Sequence, residues 1–198
     1  MVYGGSSITN AATGYRALSE AWLRTTYPGT TITVHNASVS GEDSTQNYAR
    51  INTDYLPYAP DLVIFDDAND TPGADNAAVE SLVRDIWTAY PNCKFVFMKV
   101  FTVTANTPDS YIDTPTTAAR TVEFEALAAY YGIPLVPVWD TVQADIAAGR
   151  YHLNEYLIDT AHPTMWGHNV MEALLEPYLT PEFLTTRQSP ITLPTRLY

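Results

Sequence analysis

The sequence predicts an α/β fold in which a parallel sheet carries helices on both faces. Three observations lead there. Short apolar runs alternate with segments of helical periodicity along most of the chain. The run Leu62-Val63-Ile64-Phe65 is apolar at every position, as expected of a strand covered on both sides. The 198 residues are 46% hydrophobic and 16% charged, which suffices for one domain with a full core and no disulfide or structural metal.

The elements follow in order. Val2-Tyr3 starts a strand, and residues 13–26 place Ala17, Leu18, Ala21, Trp22 and Thr25 on one helical face. Pro28-Gly29 stops that helix, and β-branched residues 31–34 read as the second strand. Residues 41–56 predict a helix with Tyr48, Ile51 and Tyr55 on one side. Strand 62–65, helix 74–90, strand 95–101, helix 116–131, strand 133–138, a short helix over 140–148 and a last helix over 165–179 complete the pattern. Such an alternation predicts right-handed crossovers and a ligand site beyond the C-terminal ends of the strands. Residues 1–180 form the expected domain. Residues 181–198 hold three prolines and no periodicity, and read as an extended tail lying on the domain or a neighbour, or disordered.

Charge excludes several partners. The net charge of −12 disfavours nucleic acid and anionic membrane surfaces, and no apolar run is long enough to span a bilayer. A neutral or cationic small molecule fits better. The single Cys93 rules out an internal disulfide and a cysteine-based zinc cluster, and its place beside a strand predicts a buried, inert thiol. The chain opens abruptly on Met1-Val2-Tyr3, as if a leader, as of a secreted protein, or an upstream segment had been removed, and the sequence assigns no compartment. The sequence assigns no oligomeric state.

Four segments fall where the site should form: residues 4–9, 36–41 and 66–70 just after strands, and 159–163 on the loop before the last helix. Gly4 and Gly5 permit a sharp turn that exposes Ser7 and aims its own N–H at a developing oxyanion. Serine needs a base, and His162 is a suitable one. Asp159, three residues earlier, can orient that imidazole. The Gly41 N–H and the Asn69 side-chain amide can complete an oxyanion hole. These are the parts of nucleophilic acyl transfer. The alternatives for single residues are plain ones: Ser7 as a helix cap, Asn69 as a turn residue, Gly41 as a helix-start glycine, His162 as a surface or satisfied core histidine. Asp66, Asp67 and Asp70 lack a histidine or further acidic cluster, so a solvated, turn-capping role is expected and no metal. His35, His152 and His168 share no ligand spacing.

On these residues the chain resembles the SGNH hydrolases, also called GDSL esterases and lipases. Gly5-Ser6-Ser7-Ile8-Thr9 is similar to the family's Gly-Asp-Ser block, Asn36 to Gly41 to its second, Asp67-Ala68-Asn69-Asp70 to its Gly-x-Asn-Asp block and Asp159 to Pro163 to its Asp-x-x-His-Pro block. The resemblance implies a three-layer α/β/α sandwich with a five-stranded parallel sheet of flavodoxin-like type. It also implies Ser7 as nucleophile, His162 as base and acid, Asp159 as its orienter, Ser7, Gly41 and Asn69 as oxyanion donors, and no cofactor. Two positions depart from the pattern: Ser6 stands for the usual Asp, and Asp67 for a glycine. The Asp67 carboxylate must then point away from the oxyanion, stay solvated, or contact a cationic or polyhydroxyl substrate.

The expectation is a serine esterase acting on short acyl groups of a small-molecule or glycan ester, with O-deacetylation of a carbohydrate in front. A short-chain lipase or thioesterase is the rival, and a weakly catalytic glycan-binding module the alternative from another class. The 14 tyrosines and four tryptophans suit sugar stacking as well as core packing. Tyr111, Tyr151 and Tyr156 are the candidate substrate walls, with Asp67 a further contact.

Overall fold

The order of five parallel strands explains where a site can form. In the chain, β1 (Val2–Gly4) leads to α1 (Ser7–Asn10) and α2 (Tyr15–Thr26), then β2 (His35–Asn36), α3 (Ser44–Ala49), α4 (Ile51–Asp54) and β3 (Leu62–Asp66). Next come α5 (Ala74–Ala89), β4 (Lys94–Met98), α6 (Pro115–Tyr131), β5 (Leu135–Val136) and α7 (Val138–Ala147). The chain continues through α8 (Leu153–Tyr156), α9 (Met165–Leu175) and α10 (Pro181–Thr185). The computed structural model describes residues 1–66, 73–101, 115–159, 161–185, 188 and 192–198.

The sheet runs β2-β1-β3-β4-β5, parallel throughout. Its direction of growth reverses between β1 and β3, and a crevice opens beyond their C-terminal ends at such a switch point. Gly4 pairs with Phe65, so Gly5 and Asp66 leave the sheet side by side.

Alternation along each strand builds two cores. Tyr3, Ile64, Val96, Met98 and Val136 face Leu23 of α2, Val142 of α7 and Met171 and Leu175 of α9. Val63, Phe65, Phe95 and Phe97 point the other way, against Val79, Val83 and Ile86 of α5 and Phe124 and Leu127 of α6. The result is a three-layer α/β/α sandwich of the flavodoxin-like order. Phe97 stacks on Phe124 with ring centroids 4.5 Å apart, a contact worth about 0.5–1.5 kcal/mol beyond its burial. Cys93 is buried, as its position suggested.

Several boundaries differ from the sequence reading. The second strand is not 31–34 but His35–Asn36. In the observed register Val2 pairs with His35, so residues 31–33 lie beyond Met1, past the end of the neighbouring strand. The predicted helix over 41–56 is two short helices and a 3-10 turn. Asp43 and Gln46 form a capping box at its start. At the break, the Arg50 side chain turns to the Ala37 carbonyl and the Glu42 and Asp54 carboxylates. Pro57 ends the run in the 3-10 turn Leu56–Tyr58.

The residues after Leu179 start with α10, which the reading of an extended tail did not include. Beyond it, the Gln188 side-chain amide bonds both backbone groups of Phe95. It stands in for a strand where β5 is too short to pair. Leu197 and Tyr198 give their backbone N–H groups to the buried Glu80 carboxylate at 2.7 and 2.8 Å.

Candidate active site

β1 ends against a crowded wall. A side chain at Gly4 would meet the Tyr55 hydroxyl at 2.2 Å, and Gly5 has φ +124°. Asn47 holds the Gly5 peptide from both sides, accepting from its N–H at 3.4 Å and donating to its carbonyl at 3.3 Å. Ser7 then opens α1 at the mouth of the crevice.

The second half of the site comes from a loop closed by an antiparallel bridge between Leu157 and Pro163. The Ile158 N–H donates to the His162 carbonyl at 2.9 Å, and Thr164 donates its N–H to the Tyr156 carbonyl at 2.8 Å. Thr164 also caps α9 by accepting from the Gly167 N–H at 3.0 Å. This closure presents Asp159 and His162 at the loop's tip.

There the Ser7 Oγ lies 2.9 Å from His162 Nε2. His162 Nδ1 lies 2.7 Å from Asp159 Oδ2. The other carboxylate oxygen accepts the N–H groups of Ala161 at 2.8 Å and His162 at 2.7 Å. A carboxylate only accepts, so the ring proton sits on Nδ1 and the Nε2 lone pair faces Ser7. Partial burial pushes the Asp159 pKa up, but the His162 and Ala161 N–H groups and the imidazole outweigh it and hold the carboxyl below its usual range. Both side chains are about half exposed, 46% for His162 and 47% for Asp159, so the site opens to solvent.

The loop after β2 joins the same turn. Asn36 donates to Asn10 Oδ1 at 2.9 Å, and Asn10 donates to the Ser40 hydroxyl at 3.1 Å. Gly41 follows in a turn closed by Glu42 N–H on the Val39 carbonyl, at φ +83°. Asn69, Asp67, Asp70 and Tyr111 lie outside the described residues.

Two sequence expectations need correction. Tyr156 is not a substrate wall: it is fully buried, and its hydroxyl donates to Asp145 at 2.5 Å. Asp66 is not a solvated turn residue: it is 1% exposed and sits under the Ser7 turn. Tyr151 is half-buried, its ring 5.6 Å from that of Trp166. Trp166, 44% exposed, and Met165 beside it escaped the sequence reading, because their α9 positions follow the Asp-His block directly and read as helix pattern. Tyr151, Glu155, Thr164, Met165 and Trp166 line one open depression. Among the described residues no cluster of His, Cys, Asp or Glu has metal-site geometry, and no helix is long and apolar enough to cross a membrane.

A parallel sheet of this order, with these turns at its C-terminal edge, defines the class: a flavodoxin-like α/β scaffold with its site at the switch point. The chain matches the GDSL-like lipase/acylhydrolase family over residues 3–170 and belongs to it. Solved structures agree on the fold. A two-domain esterase active on acetylated mannans, co-crystallised with mannopentaose, superposes with a TM-score of 0.80 at 22% identity, over 99% of this chain and 52% of that one. The chain thus spans about half the length of that esterase. A catalytic mutant of Axe2, an acetylxylan esterase from Geobacillus stearothermophilus, gives 0.75 at 18% identity, covering 94% of this chain and 96% of its own. LAE5, an α/β hydrolase enzyme from the metagenome of Lake Arreo, gives 0.69 at 18%, covering 93% and 95%. No curated protein matches the chain.

Proposed function

We propose that the chain is a serine esterase that removes short acyl groups, with acetyl groups on carbohydrate as the substrate class. The observation that carries the catalytic reading is the continuous line from Ser7 Oγ through the His162 ring to Asp159. Ser7 attacks the ester carbonyl carbon, and its proton passes to His162 Nε2. Asp159 stabilises the imidazolium through Nδ1–H. The tetrahedral oxyanion takes the Ser7 N–H, the Gly41 N–H and the Asn69 amide, each worth about 10²–10³ in rate in such sites. The intermediate collapses, the C–O bond to the alcohol breaks, and His162 returns the proton to the departing alkoxide. Water then gives a proton to His162 and attacks the acyl carbon. Collapse releases the carboxylic acid, and the proton returns to Ser7 Oγ.

Two further observations support the reading. Axe2 structures carry catalytic mutations at an aspartate and at a histidine three positions later, the spacing of Asp159 and His162. Trp166 and Tyr151 offer half-exposed rings beside the Asp159–His162 loop, and sugar rings stack on such faces. The acetylated mannan and xylan substrates of the two relatives suit that arrangement.

The test is p-nitrophenyl acetate hydrolysis by the wild type and by Ser7→Ala, followed by acetate release from acetylated xylo- and manno-oligosaccharides. Equal slow rates for the two proteins remove the esterase reading and favour a glycan-binding module. Cleavage of acyl-thioesters with indifference to the glycans moves the substrate to the rival class.

A further inference from the structure

Ser6 stands where the resembling sequences carry Asp, and its backbone N–H and hydroxyl bond a carboxylate supplied by the neighbouring strand. Asp66 is the last residue of β3, and the pairing of Gly4 with Phe65 sets it beside Gly5. Its two oxygens each accept from the Ser6 N–H at 3.3 Å, and Oδ1 accepts from the Ser6 hydroxyl at 3.0 Å. Oδ2 accepts from the Thr9 hydroxyl. Thr9 has one hydroxyl proton and gives it to Asp66, so the Tyr15 hydroxyl, 2.6 Å away, donates to Thr9. The glycine and the carboxylate interlock, since a Cβ on Gly5 would lie 2.3 Å from Asp66 Oδ2.

Residues 6 and 9 straddle Ser7, and one buried carboxylate ties both. α1 has four residues and lacks a side-chain cap, so its own hydrogen bonds hold it weakly. The Ser6 bonds fix the peptide plane that leads into the Ser7 N–H. The Thr9 bond fixes the turn on which the Ser7 side chain stands. We infer that Asp66 is the positioning residue for Ser7, replacing from β3 the carboxylate that Ser6 lacks. This rests on the esterase reading above. Asp66 acts on the nucleophile through its bonds to Ser6 and Thr9. It sets the direction of the nucleophile and of its N–H.

The reciprocal exchange tests it. Asp66→Asn keeps the volume and removes the all-acceptor character, so kcat is expected to fall about 10- to 100-fold with KM nearly unchanged, as for a small misplacement of a reacting group. Labelling of Ser7 by a fluorophosphonate should slow in parallel. Ser6→Asp combined with Asp66→Ser returns the carboxylate from the opposite side and should recover most of both rates. A merely structural residue would lower thermal stability without this split between kcat and KM and without rescue. A folded Asp66→Asn enzyme with wild-type kcat overturns the inference, as does a folded exchange variant that stays slow. If Asp66→Asn does not fold, the exchange variant alone decides. Ser7-dependent labelling at the same rate in the wild type and in folded Asp66→Asn removes the inference and leaves the esterase. Absence of Ser7-dependent labelling in the wild type removes both.

Discussion

Asp159 holds His162 twice, by the backbone N–H on one carboxylate oxygen and by the ring Nδ1 on the other, each at 2.7 Å. The same group therefore fixes the loop and selects the imidazole tautomer.

Asp159→Asn should separate these roles. The amide can keep an oxygen on the backbone N–H but loses one ring contact or presents a donor to it. The expected result is a fall in kcat of about 10²–10⁴-fold with KM little changed. Stability follows from the lowered pKa. The folded-state value lies below the unfolded one, so the carboxylate contributes stability above the unfolded value of about 3.9 and loses it as pH falls through the folded value. The melting-temperature gap between wild type and Asp159→Asn should be full at pH 7 and close below about pH 4. A gap independent of pH would contradict the assignment.

Two glycines at positive φ should respond differently to alanine. Gly5 meets Asp66 at once, and Gly41 has nothing within 4 Å of an added Cβ. Gly41→Ala is expected to cost about 1 kcal/mol, from backbone strain alone. Gly5→Ala adds a clash in a buried turn and is expected to cost about 2–4 kcal/mol. Urea denaturation of the two variants checks the order, which should not reverse.

Glu172 on α9 has its pKa raised to about 6 by burial and by Glu176 one turn on. A raised carboxyl pKa means the folded state prefers the proton. Stability is thus lost as pH rises from the ordinary value through about 6. Glu172→Gln should melt higher than wild type at pH 8 and equally at pH 4. A thermal-shift series across that range reads it directly.

Trp166→Ala should raise KM for an acetylated oligosaccharide about 2- to 10-fold, the worth of one aromatic contact. The rise should be smaller for p-nitrophenyl acetate, which carries no sugar ring to stack on the indole. Equal rises on both substrates would assign Trp166 to loop packing instead.

Much of the fold was legible because periodicity reports burial. Leu62 to Phe65, apolar at every position, read as an inner strand, and the alternation of elements argued for a parallel sheet. Strand ends were less legible, because pairing partners set them: Thr31 to Val34 have strand-forming side chains but lie past the neighbouring strand. Within the site, Ser7, Asp159 and His162 stood out through tight spacing beside glycine and proline, and the structure places them within hydrogen-bond distance. Tyr156 misled because a four-residue helix shows no face in its pattern. Asp66 was hidden for a different reason. Its partners Ser6 and Thr9 are about 60 residues away in the chain, and only strand pairing brings them together.

The clasp on Glu80 bears on how the molecule comes apart. Its N–H donors at Leu197 and Tyr198 lie 117 and 118 positions from the carboxylate. Closing so long a loop costs entropy before the sheet exists, so this contact is expected to form after the main barrier. A contact absent from the transition state acts on the unfolding limb alone. Glu80→Gln should therefore speed unfolding in stopped-flow denaturant jumps and leave the refolding rate nearly unchanged, making the last residues of the chain a brake on its loss of structure.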